Sequence, residues 1–456
     1  MEQMTTLDAG FFLVEHDNVP MHLGFLAIFD GPAPAFADLV RLFEAKLPLV
    51  PRYRQVVRTT PLQVFRPMWA DDANFEIGYH VRQAVVPAPG TADQLRSLAA
   101  RLITQRLDRT RPLWEEWLLE GLEGGRWAVI SKVHHCMVDG IGGAALMTQV
   151  FDTDPEATPA VPLSWEPGTG PSASLVTNGV RDALTRPLRK LTAAPGALQR
   201  LANPDALLSF GRGLVGGARR LSEPSAGFLN GPIGPHRRWG WTTASLSEVK
   251  EIRSAHGGTV NDVLLAATAG AFRDLLEARG ELAAGLVVRT LVPVSVRGAD
   301  EQGVVTNRLS AVLANLPVGE PDPVRRLMMI REEMDDLKAT HQAVSAEVLT
   351  DLLELAAPMG LALGVRAAFR LPQALVQTVT TNVPGPRLPL YLLGRRMEAA
   401  YPYMPIGDSV RIAVAIFTYL DTISFGVTAD YDSVPDLSVL LDGISRGLSG
   451  LAGSLP

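Results

Sequence analysis

Cysteine is almost missing from this chain: its 456 residues contain one, Cys136. An internal disulfide framework and any multi-cysteine zinc or iron–sulfur site are therefore excluded, and the usage fits a reducing cytosol. Lysine is nearly as scarce, with Lys46, Lys132, Lys190, Lys250 and Lys338 the whole set. Acids outnumber bases by 48 to 42, for a net charge of −6, and no basic block interleaves with aromatics. Nucleic acid is excluded as a partner, because its binding rests on phosphate neutralisation. Uninterrupted apolar runs are missing too. The longest candidate, Leu352 to Val365, is broken by Glu354, Pro358, Gly360 and Gly364, so no membrane span is expected. Met1-Glu2-Gln3-Met4 offers no basic and apolar leader, so no secretory signal is expected. What is abundant is apolar character without a span: 47% hydrophobic against 20% charged residues, where about 25% charge is usual.

A chain of this mass buries roughly three quarters of its unfolded surface and divides into two or three domains by length. Punctuating residues cluster from Thr153 to Pro235, beginning with Asp154-Pro155 and Pro167-Gly168 and ending with Gly231-Pro232 and Gly234-Pro235. This divides the chain into an N-terminal domain over 1–152, a partly helical linker over 153–235 and a C-terminal domain over 236–456. Strands are expected at His22 to Phe29, Phe75 to Val86, Trp114 to Leu119 and Trp127 to Val133. Helices are expected at Phe36 to Leu47, Ala92 to Arg106 and Gly142 to Phe151. The second half repeats the mixture: helices near 260–279, 323–340 and 436–451, and strands near 286–296, 308–316, 376–382, 411–419 and 422–430. Each half reads as an α/β layer pair, a mixed sheet faced by helices.

The richest segment runs from Trp127 through His134-His135-Cys136-Met137-Val138-Asp139-Gly140. On a strand, alternate side chains face opposite ways, so His134 and His135 cannot both meet one reacting atom or share one metal ion. No third ligand stands at metal spacing, and no metal is expected. Asp139 before Gly140 has an ordinary reading as a helix cap and tight turn. Thr259-Val260-Asn261-Asp262 reads as a capping box, Thr259 as cap and Asp262 three residues on.

The segment resembles the HHxxxDG signature of coenzyme A-dependent acyltransferases. Its flanking text resembles one family of these, the bifunctional wax ester synthase/diacylglycerol acyltransferases. The blocks that carry the resemblance include Thr6-Leu7-Asp8-Ala9-Gly10, Pro20-Met21-His22-Leu23-Gly24, Arg111-Pro112-Leu113-Trp114-Glu115, Val260-Asn261-Asp262, Pro293-Val294-Ser295-Val296-Arg297 and Thr381-Asn382-Val383-Pro384-Gly385-Pro386. They span nearly the whole chain.

The resemblance implies two chloramphenicol acetyltransferase-like domains with a tunnel at their interface. It implies transfer of a long acyl chain from acyl-CoA, a co-substrate, to diacylglycerol or a long-chain alcohol, with no bound cofactor and no acyl-enzyme. His135 is the implied general base, a role suited to neutral imidazole, and His134 supports the turn. Asp139 and Gly140 are implied as structural members of the motif, Asp139 pairing with Arg297. Asn261 is the implied oxyanion or substrate contact, and Asn382, Pro384 and Gly385 are implied to shape the tunnel. The expected setting is cytoplasmic, peripheral to the inner membrane or lipid droplets, with Ala206 to Leu221 and Leu352 to Val376 read either as interfacial helices or as core helices between the domains. Two other readings stay open: an acyltransferase for a polyketide or small soluble alcohol, and a non-catalytic lipid-droplet-binding protein. The oligomeric state is left open.

Overall fold

Apolar alternation over His22 to Phe29 and Trp127 to His134 builds two central strands that pair antiparallel along their full lengths, from His22 opposite His134 to Phe29 opposite Trp127. A computed structural model describes residues 2–59, 66–137, 147, 150–156, 224–295, 309–339 and 376–454. In chain order the first half holds β1 (Glu2–Gln3), α1 (Thr6–Val14), β2 (His22–Phe29), α2 (Phe36–Lys46), β3 (Gln55–Arg58), β4 (Met68–Asp71), α3 (Ile77–His80), β5 (Val81–Val85), α4 (Ala92–Thr104), β6 (Trp114–Glu120) and β7 (Trp127–His134). The second half holds β8 (Arg237–Ser245), α5 (Leu246–His256), α6 (Val260–Ala278), β9 (Val288–Ser295), β10 (Leu309–Leu316), α7 (Pro323–Ala339), β11 (Thr378–Pro384), β12 (Tyr391–Leu392), β13 (Arg395–Tyr403), β14 (Ile412–Tyr419), β15 (Thr422–Asp430) and α8 (Leu437–Ala452).

Two six-stranded mixed sheets result, ordered β12-β13-β2-β7-β6-β5 and β10-β9-β11-β14-β15-β8, with a small sheet β1-β4-β3 beside the first. One expected element differs. The stretch expected as strand from Phe75 to Val86 begins with a helical turn, because Glu76 accepts the Gly78 N–H and caps it; only Val81–Val85 is strand. The capping box at Thr259 forms as read, Asp262 accepting the Thr259 N–H at 2.7 Å.

In the second half, α6 and α8 cover one face of the sheet, whose inward side chains Ile412, Val414, Ile416, Phe425 and Val427 are all buried with them. The helices approach closely because Gly443 and Gly447, one turn apart, face Ala271 and Ala267; a Cβ on Gly443 would sit 2.8 Å from the Ala271 Cα.

The opposite face of this sheet meets the first half. The hairpin β12–β13 comes from the C-terminal side of the division at 236 and yet forms the two outer strands of the first sheet, Tyr401 opposite Leu26 and Tyr403 opposite Gly24. Its backbone lies against β15, where a Cβ on Gly426 would come within 1.8 Å of the Pro402 carbonyl oxygen. Trp239 and Trp241 of β8 complete the seam by burying against the core of α4, β2 and β7.

Replacing Gly426 by Ala therefore forces backbone apart at the seam, and a loss of about 1–3 kcal/mol is expected for such overpacking. Denaturation midpoints should show this against Gly227→Ala, an exposed glycine with nothing within 4 Å of its virtual Cβ; equal midpoints for the two variants would contradict it.

Candidate active site

Along β7 the side chains alternate as the pattern dictates. Val129 and Val133 enter the core beside α2, whereas Ala128 and Ile130 enter the core beside α4. The strand runs to His134, one residue beyond the expected end, and His135 opens a short 3-10 turn through Met137. Two neighbouring blocks pin that turn through the backbone. The His134 N–H donates to the Leu113 carbonyl at 2.9 Å, and the His135 N–H to the Met21 carbonyl at 2.8 Å.

His134 is completely buried. Its Nδ1 accepts the Cys136 N–H at 3.1 Å, which leaves the ring proton on Nε2. That nitrogen points at Glu15, 3.6 Å from Oε2, a charge contact longer than a hydrogen bond. Glu15 ends α1, its side chain only 1% exposed. Its Oε1 accepts the Met21 N–H at 3.2 Å, and Arg109 and Arg106 stand 3.7 and 3.9 Å from Oε2. Burial pushes this carboxyl upward, but His134, the Met21 N–H and Arg109 outweigh burial and hold it below its ordinary value. Arg109 also lies over the Phe12 ring at 3.7 Å.

His135 stacks on Phe11, ring centroids 3.7 Å apart at 20°. The residue retains partial exposure while its Nδ1 is buried and makes no hydrogen bond. Desolvation pushes the imidazole down to about 4, with a smaller contribution from His134 in the same direction. The ring is accordingly neutral at pH 7. Phe11 also packs against the cluster in which Val14, Val19 and Met21 meet Ile233, Ile406 and Ala413, so the turn sits where the two halves meet. The Cys136 thiol is buried and pushed well above its ordinary range, first by burial and then by Asp8 and Glu15.

Asn382 and Asn261 are brought together: the Asn382 amide donates to the Asn261 Oδ1 at 3.3 Å, at the second position of α6. Among the described residues no hydrogen bond links this pair to the histidine turn. Pro384 is exposed at the end of β11. Gly385 passes so close over β14 that a Cβ would lie 2.0 Å from the Thr418 carbonyl. Asp139, Gly140, Arg297 and the segments 206–221 and 352–375 lie outside the described residues.

Three further features had not been read from the sequence. Glu15 is the partner of His134, and Phe11 is the stacking partner of His135. Lys132, fully buried, donates to the carbonyls of Leu102 and Gln105 at the end of α4 and stands 3.6 Å from Glu115; desolvation lowers it to about 8 against the pull of Glu115. A signal for Glu15 was present, a lone carboxylate closing the apolar run Phe11-Phe12-Leu13-Val14.

Residues 4–264 match the wax ester synthase/diacylglycerol acyltransferase catalytic domain, and residues 305–452 match the C-terminal domain of the same family. The chain belongs to that family. A probable diacylglycerol O-acyltransferase of Mycobacterium tuberculosis, tgs1, is 37% identical over 454 residues, covering 99% of this chain and 96% of that protein. A second from the same organism, tgs2, is 31% identical over 461 residues, covering 99% of each. The wax ester synthase/diacylglycerol acyltransferase of Marinobacter aquaeolei superposes with a TM-score of 0.70 at 24% identity, covering 99% of this chain and 100% of that one. The first condensation domain of the calcium-dependent antibiotic synthetase shares the fold, with a TM-score of 0.61 at 15% identity over 100% and 96% of the chains. The two-domain mixed α/β architecture is thus the one that the motif implied, and the protein is an acyltransferase.

On the face of the sheet opposite His134, Glu116 is buried, accepts the Ser131 hydroxyl at 2.7 Å and is pushed up to about 8 by burial. A raised acid favours folding while protonated, so stability is full below the ordinary carboxyl range and falls as pH climbs through about 8. Denaturation at pH 5 and pH 8 should show a wild-type loss that Glu116→Gln lacks, of order a few kcal/mol. For Glu15→Gln, turnover should fall about tenfold to a hundredfold with KM nearly unchanged, since a displaced turn costs alignment rather than affinity; unchanged kcat would remove Glu15 from the positioning of the turn.

Proposed function

We propose that the protein moves a long-chain acyl group from acyl-CoA to the free hydroxyl of diacylglycerol or of a long-chain alcohol, with His135 as general base. The observation that carries the reading is the state of His135: desolvated, stacked on Phe11, held neutral, and placed at the junction of the two halves. An alcohol is far too weak an acid to ionise at pH 7, so its proton must leave as the bond forms. With Nδ1 buried, Nε2 is the nitrogen left to take it. The oxygen attacks the thioester carbonyl, the C–S bond breaks, and the coenzyme A thiolate leaves and recovers the proton from His135. His134, locked between Cys136 and Glu15, holds the turn and takes no proton from substrate. Asn261 is assigned to the acyl oxygen, on the strength of its place in the first turn of α6, where the helix dipole favours negative charge.

The diacylglycerol acceptor is supported by the 37% identical relative, and the alcohol acceptor by the fold shared with the Marinobacter enzyme. Both acceptors reside in lipid, and the setting assigned to the protein is the surface of the inner membrane or of lipid droplets. No helix among the described residues is long and apolar enough to cross a membrane.

Purified protein supplied with palmitoyl-CoA and either dioleoylglycerol or hexadecanol should release coenzyme A and form the corresponding triacylglycerol or wax ester. His135→Ala should reduce turnover by 10²-fold or more. Equal product from the variant would refute the base assignment, and product only with short polar alcohols would replace the lipid acceptors.

A further inference from the structure

A second cleft opens at the far end of the first sheet. Arg126 immediately precedes β7 and His135 immediately follows it, so the cleft at Arg126 stands roughly 25 Å from the histidine turn at strand rise. The cleft has a volume of about 290 Å³ and lies on the seam between the halves, with α4 on one side and β8 on the other.

Its chemistry is specific. Two guanidinium groups line it, Arg96 from α4 and Arg126 from the loop after β6. The Arg96 Nη1 is held by Asp93 at 3.0 Å, whereas its Nε is buried and makes no hydrogen bond. Arg126 Nε donates to the Glu123 carbonyl, and Nη1 stands 3.8 Å from Glu398. These partners orient each fork and leave donors over. Gly90 and Ala92 bring the N-terminus of the thirteen-residue α4 to the same rim, adding the positive end of its dipole. The second half supplies the Thr243 hydroxyl and Trp241, which stacks on Tyr401 at 4.7 Å and lies under Arg96 at 5.3 Å. Leu95 and Leu122 give an apolar floor.

We propose that this cleft is a binding site for a phosphate monoester of nucleoside-monophosphate size, the phosphoryl group on Arg96 and Arg126 and the body against Leu122 and Tyr401. Paired planar forks beside a helix N-terminus suit a dianionic phosphoryl group better than a carboxylate, and the half-apolar lining suits an organic monoester better than free phosphate. Because its walls come from both halves, occupancy stabilises their packing.

Titration calorimetry and thermal shift of the full chain test this with AMP, inorganic phosphate, dihexanoyl phosphatidic acid and, as a control without phosphate, adenosine. AMP or phosphatidic acid should bind and raise the melting temperature, and adenosine should not; which of the two binds more tightly separates a free nucleotide from a lipid headgroup as the source. Arg96→Gln with Arg126→Gln should weaken binding tenfold or more, with acyl-transfer turnover in the absence of added ligand unchanged. Saturating coenzyme A should leave AMP binding unchanged, which separates this cleft from the acyl-CoA site. Equal binding to wild type and the double variant, or no binding of any phosphate monoester at millimolar concentration, would overturn the proposal.

Discussion

The contact between Glu15 and His134 organises the first half of the molecule. A carboxylate with a side chain 1% exposed is tolerated only where neighbours replace its water. Those neighbours come from separate stretches of chain: the imidazole from β7, the Met21 N–H from the start of β2, and two arginines from the loop before β6. Satisfying one charge thus draws α1, β2, β7 and that loop to a single point. The same point fixes the 3-10 turn, since His134 can accept the Cys136 N–H only while its other nitrogen faces Glu15. The first histidine of the pair is held on both ring nitrogens by these contacts, and the second is left to stack on Phe11.

Desolvation acts on three buried groups around β7 with three different results. It makes His135 a weaker proton holder and so a neutral imidazole at physiological pH. It keeps Glu116 protonated, a hydrogen-bonded acid rather than an ion under Trp114 and Tyr53. It lowers Lys132 only part of the way, to about 8, because the nearby Glu115 still favours its ammonium. The sheet therefore carries polar groups through an apolar core without a matching number of charges, which is the condition for burying them at modest cost.

Much of the fold was legible because period and punctuation decide it locally. Strand β2 and strand β15 fall where alternation placed them, and α6 begins at the cap that Thr259 and Asp262 announce. What could not be read locally depended on partners distant in sequence. The segment Arg395 to Tyr403 has charges, two alanines and a proline, a poor strand by composition; it is a strand because β2 offers it a hydrogen-bonding edge some 370 positions earlier, as Tyr403 opposite Gly24 shows. Glu15 likewise looks like a residue ending a helix until His134 is brought to it. The strand leading to the histidines was legible from alternation, whereas the turn that begins at His135 was not, since it is pinned by the Met21 and Leu113 carbonyls.

The seam between the halves takes up a large part of the apolar excess of the sequence. Three clusters that a compact domain would keep to itself are instead shared: Phe417 and Tyr419 of β14 enter the core of the first sheet, Trp239 and Trp241 enter the core beside α4, and Ile406 and Ala413 pack beside Phe11. Close backbone approach at Gly426 makes that sharing possible, since any side chain there would hold β15 off β13 of the first sheet. A seam this apolar ends at the ring that backs His135, and under the function proposed above it would cost a hydrocarbon chain none of the solvation it had in lipid. Substrate and core would then be solvated by the same side chains, so changes that repack the seam should alter chain preference and stability together.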